Sequence, residues 1–112
     1  MATYLRGALY GTDYKDSFQL LRHQQTYNYT LTASGGGRVA FKVEQWKVEP
    51  SHGPVEKWYV IEEKSKVQSG TTLNGTFTVS VEPGEAQSSI LLTFTREFLS
   101  AGVDFELSFA PA

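Results

Sequence analysis

Two tryptophans, Trp46 and Trp58, and the tyrosine beside the second, Tyr59, carry the clearest recognition chemistry in this 112-residue sequence. An exposed indole offers a large, rigid apolar surface with one N–H donor, which suits a sugar ring or another protein. The segment Pro50-Ser51-His52-Gly53-Pro54 reads as a turn. If the flanking strands pair symmetrically about His52, Trp46 faces Trp58, Lys42 faces Glu62, and Val43 faces Ile61. Opposite charges and paired aromatics are what cross-strand neighbours prefer. Both indoles then share a polar face with Lys42, Glu44 and Glu62, and one flaw remains, because Lys47 faces Lys57. The competing reading is a twisted or bulged hairpin whose indoles pack as core or cover an edge.

Catalytic chemistry finds less support. A nucleophilic triad needs a Ser or Cys beside a His that a carboxylate orients. The two histidines, His23 and His52, are isolated, lie in no such pattern, and read as solvated residues at a strand end and in a turn. Two separated histidines do not supply the three or four ligands of a zinc site. Ser34-Gly35-Gly36-Gly37 lacks the Lys and helix of a phosphate loop and reads as a hairpin turn. Asp13 and Asp16 flank a lysine and provide few of the six to eight oxygens calcium takes, so they read as a polar turn. The expectation is a protein with no catalytic centre, no metal and no cofactor.

Composition narrows the partners. Ten basic against twelve acidic residues give a formal charge of −2, and no Lys/Arg run exists to neutralise phosphates. Nucleic acid is therefore not an expected partner. Cysteine is absent, which excludes disulfides and thiolate metal sites. The first residues lack an apolar signal-peptide core, and no apolar run approaches the ~18 residues of a spanning helix. No signal peptide and no membrane span are expected.

The elements that must position the aromatic residues are strands. Period-two alternation dominates: Phe77, Val79 and Val81 against Thr76, Thr78 and Ser80, and Val103, Phe105, Leu107 and Phe109 against Asp104, Glu106 and Ser108. Ile90, Leu92 and Phe94 repeat it, as do Val39, Phe41 and Val43, and Tyr27, Tyr29 and Leu31. Weaker strands are expected over 3–10, 17–22 and 55–63, with 64–68 as a continuation or a separate piece. Asn28-Tyr29-Thr30 and Asn74-Gly75-Thr76 match a glycosylation acceptor pattern but lie within strands and read as strand residues. Strands that bury one face and wet the other belong to antiparallel sheets. The predicted fold is an all-β antiparallel β-sandwich, jelly-roll or immunoglobulin-like, of seven to nine strands in a single domain over 1–112.

Two functions follow as expectations. The first is a non-catalytic recognition module that binds a carbohydrate or protein ligand through an exposed patch of Trp46, Trp58 and Tyr59. The alternative is a structural or assembly protein that forms a homo-oligomer through sheet faces or edges, for which Thr-rich faces such as Thr76, Thr78, Thr93 and Thr95 are suited.

Overall fold

The alternation read from the sequence closes into eight strands in a computed structural model that describes residues 2–11, 14–49, 55–80, 87–97 and 101–112. They are β1 (Thr3–Leu9), β2 (Tyr14–Arg22), β3 (Thr26–Ser34), β4 (Arg38–Glu49), β5 (Val55–Gln68), β6 (Thr72–Thr78), β7 (Gln87–Arg96) and β8 (Val103–Pro111). The first sheet runs β1-β8-β3-β6 and the second β2-β7-β4-β5, with every neighbouring pair antiparallel. Among the described residues there is no helix. Within the sheets, β1 pairs with β8, β2 with β7, β3 with β6 and β4 with β5. This nesting is a long antiparallel ribbon rolled into two sheets, which is the jelly-roll order rather than the immunoglobulin one. The β4–β5 hairpin is the far end of that ribbon, and it carries both tryptophans.

The core lies between the sheets and is built from the apolar phase of each strand. Phe41, Phe77, Phe94, Phe105 and Phe109 are all buried, as their alternation predicts. Their rings form a chain that crosses from sheet to sheet. Phe105 of the first sheet stacks on Phe94 of the second at 4.0 Å, Phe94 on Phe41 at 5.2 Å, and Phe41 meets Tyr29 edge-on at 5.2 Å. Gly75 stands opposite Tyr29, and the tyrosine ring covers it, so that a β-carbon at Gly75 would come within 2.5 Å of the ring. Glycine here makes room for an aromatic neighbour, not for a turn.

Two register breaks interrupt β5 where it pairs with β4. Near the hairpin end, Trp46 opposes Trp58 and Lys47 opposes Lys57, as the symmetric register predicts. The register then slips between Glu44↔Val60 and Val43↔Glu62, leaving Ile61 as the extra residue of a β-bulge. The expected pairs Lys42–Glu62 and Val43–Ile61 are therefore corrected: Lys42 opposes Glu63 and Val43 opposes Glu62. Glu62 moves from the tryptophan face to the core side, where its carboxylate accepts a hydrogen bond from the Tyr29 hydroxyl at 2.8 Å. A second break lies between Val39 and Phe41, near Lys66, whose backbone is left-handed at φ 57°.

One end of the core is polar. Gln45 occupies the inward phase of β4 and is fully buried. Its side-chain amide imitates a strand neighbour for Ser80, accepting from the Ser80 N–H at 2.9 Å and donating to the Ser80 carbonyl at 3.2 Å. Its second N–H donates to Ser88 Oγ at 3.1 Å. His23 belongs to the same cluster: its Nδ1 donates to the Ser80 carbonyl at 2.7 Å, which corrects the reading of His23 as a solvated residue. His52 and Asp13 lie outside the described residues.

Two outcomes test this packing. Gly75→Ala forces a methyl into the Tyr29 ring and lowers stability by about 1–3 kcal/mol, the usual cost of overpacking a filled site, measured by urea unfolding. An unchanged midpoint would show that the ring does not lie over Gly75. The Tyr29 hydroxyl, held by burial and by its hydrogen bond to Glu62, keeps its proton to higher pH than the ~10 of an unfolded tyrosine. That contribution is complete below pH ~10 and is lost as pH rises further, because the unfolded chain releases the proton first. Above about pH 10 the melting temperature of the wild type falls more steeply than that of Tyr29→Phe. Parallel slopes would contradict the Tyr29–Glu62 link.

Candidate binding face

Gln45 and Trp46 are consecutive on β4, so they point to opposite sides of the second sheet. Gln45 points into the core and opposes Tyr59, whereas Trp46 points to the outer face and opposes Trp58. The structure thus brings Trp46 and Trp58 together on the outer face, half-buried, and places Tyr59 on the other side of β5. The Tyr59 ring has its own partners there. The ammonium groups of Lys57 and Lys47 lie 4.8 and 5.6 Å from its centroid, so the π-face absorbs the like-charge pair that the register imposes.

The two indoles meet at 5.2 Å with an interplanar angle of 68°, an edge-to-face pair and not a coplanar platform. Trp58 also meets Phe18 of β2 edge-on at 5.8 Å. Phe18 and Trp58 stand on the two edge strands, three strand spacings of about 4.8 Å apart, so both rings lean inward over the central strands. Under them runs one cross-strand row, Phe18–Leu91–Glu44–Val60. Phe18, Leu20 and Val60 are exposed at 57%, 60% and 51%, values that make this face an apolar patch rather than scattered single residues.

A charged pair is set into the patch. Glu44 lies mid-row, only 17% exposed, with a carboxylate oxygen 3.5 Å from Lys42 Nζ. Toward the second register break the face opens into a hollow of about 150 Å³ lined by Ala40, Lys42, Glu63, Lys64, Thr93 and Thr95 among others. The outer face therefore has an aromatic half at the hairpin end and a polar half beyond it. Apolar walls with a few convergent polar groups are the usual chemistry of a small-molecule site. Among the described residues no cluster of three or more His, Asp or Glu has metal-binding geometry, and no helix is long and apolar enough to cross a membrane.

Phe18 and Leu20 were not among the residues singled out from the sequence. The signal was present but ambiguous. Leu20 and Leu21 are adjacent, so β2 has apolar residues in both phases, and only the buried state of Leu21 shows which phase faces the core.

No protein-family description and no curated protein sequence matches the chain. Solved structures do share its fold. A carbohydrate-binding module from a study of promiscuous specificity in the β-sandwich superfamily aligns with a TM-score of 0.56 and 8% identity, over 96% of this chain and 53% of that one. A family 16 carbohydrate-binding module aligns at 0.52 and 15% identity, over 89% of this chain and 70% of the module. The Aeromonas hydrophila periplasmic inhibitor of g-type lysozyme, PliG, aligns at 0.50 and 15% identity, over 99% and 86%. At such identities the likeness is one of fold: this chain is a two-sheet β-sandwich of the kind that carbohydrate-binding modules use.

Proposed function

We propose that the chain is a non-catalytic binding module for carbohydrate, and that the glycan lies along the outer face of the second sheet. The observation that carries this reading is the cluster of Trp46, Trp58 and Phe18, turned outward beside the Glu44–Lys42 pair. A pyranose ring presents an apolar C–H face and an equator of hydroxyls. The rings of Trp46, Trp58 and Phe18 suit the first. Glu44, Lys42 and the Thr93 and Thr95 hydroxyls of the adjoining hollow suit the second. The fold shared with carbohydrate-binding modules supports the reading without deciding the sugar.

A protein ligand is the second reading, and Leu20 and Val60 favour it. Aliphatic side chains exposed by 60% and 51% add apolar area without the ring geometry that sugars stack on.

A glycan array followed by titration calorimetry on the best ligand tests the proposal. Trp58→Ala weakens binding about 30-fold or more, the size expected for truncating a central anchor worth ~2 kcal/mol. Thr76→Ala, on the outer face of the other sheet, leaves the affinity unchanged. Absence of any glycan ligand, or equal effects of the two substitutions, would reject the assignment.

A further inference from the structure

Each sheet of the sandwich ends in two edge strands, and the four edges are not equally protected. The β5 edge is broken by two register shifts and carries Lys57, Glu63, Lys64 and Lys66. Bulges and charges of this kind discourage further strand pairing. On β6 the outward side chains Thr72, Asn74, Thr76 and Thr78 are polar, and β1 has Arg6 at its centre. β2 differs. Like β1 and β6 it pairs with its neighbour in one unbroken register, here from Tyr14↔Thr95 to Arg22↔Gln87, but among the described edge strands it alone exposes two large apolar side chains, Phe18 and Leu20, on its outer side.

The backbone phase of β2 is set by Arg22, whose amide points away from β7 and donates to the Tyr27 hydroxyl at 3.3 Å. Alternate residues share that direction, so Asp16, Phe18 and Leu20 turn their N–H and C=O groups to the open edge. Among the described residues nothing bonds to those groups. Asp16 and Arg22, at the two ends of the segment, are both exposed and have no ion-pair partner among the described residues.

We propose that β2 is the edge through which two copies of this chain pair, antiparallel about a two-fold axis at Gln19. The side-chain chemistry selects that register. A two-fold at Gln19 sets Phe18 against Leu20 of the second copy and Asp16 against Arg22 of the second copy, twice each by symmetry. Shifting the axis to Phe18 places Asp16 opposite Leu20, and shifting it to Leu20 places Asp16 opposite Gln24. Only the Gln19 register matches charge with charge and apolar with apolar while pairing the open backbone groups of Phe18 and Leu20 with those of the second copy. The result is one continuous eight-stranded sheet. It covers the exposed flank of Phe18 and Leu20 and sets the aromatic faces of both copies side by side, so that one extended polymer can engage both.

The pairing stands apart from the choice of ligand, and charge reversal tests it by itself. Light scattering coupled to size exclusion, at about 100 µM, well above the Kd of a weak dimer, gives twice the chain mass for the wild type. D16R and R22D each oppose like charges twice across the axis and run at the single-chain mass. The double variant D16R/R22D restores the opposite-charge pairs and the doubled mass. Far-UV circular dichroism of all four proteins is the same, because both substituted side chains are exposed. A wild type at single-chain mass, single variants that still pair, or a folded double variant that stays monomeric would each overturn the proposal.

Discussion

One extra residue in β5 decides what each face of the second sheet is made of. Ile61 stands in β5 without a partner of its own on β4, so the phase of β5 reverses there. On the hairpin side of the bulge, Trp58 and Val60 point outward with Trp46 and Glu44. On the other side, Glu62 points inward with Val43, and Glu63 takes the outward place opposite Lys42. A strand of unbroken register would put Ile61 and Glu63 in phase and leave Glu62 among the tryptophans. The bulge instead lets Ile61 pack against the core while Glu62 reaches across the sandwich to Tyr29. An inter-sheet hydrogen bond and an outward aromatic cluster are thus two consequences of one insertion.

The clamp around Gln45 works next to that site. Placing a primary amide in an apolar core costs free energy unless its donors and acceptor are met. Here the Ser80 backbone and the Ser88 hydroxyl meet all of them. Gln45 directly precedes Trp46, so the same bonds that satisfy the amide fix the height and direction of β4 beneath the indole. Rigid support of this kind holds the half-buried indole in one place, so that little conformational freedom would be lost on contact with a ligand.

Much of this arrangement was legible in the sequence, and the misses have physical causes. The phases of β3 and β8 are clean because Tyr29 and Phe105 stand between polar residues, and in β4 and β7 the runs of Val39, Phe41 and Val43 and of Ile90, Leu92 and Phe94 carry the phase despite Ala40 and Leu91 on the outer side. The Trp46–Trp58 register followed from symmetry about the turn. The bulge did not, because Val60-Ile61-Glu62-Glu63 contains no glycine or proline to announce it, and a one-residue slip exchanges faces. Tyr59 follows Trp58 directly, so the strand period puts them on opposite faces, and nearness in sequence does not make the three aromatics one patch. Phe18 became part of the face only through tertiary structure, since its ring reaches Trp58 from the opposite edge of the sheet.

The outer face is defined by the two indoles and the Phe18 ring meeting on it. Proton–proton Overhauser contacts between these side chains in solution test that most directly. The structure predicts cross-peaks between the two indoles and between Trp58 and Phe18, with further contacts from Trp58 to its outer-face neighbours. Cross-peaks from either indole to the core side chains of Val43 or Ile90, in place of Phe18, would show that the register is wrong and that this face is not the one described.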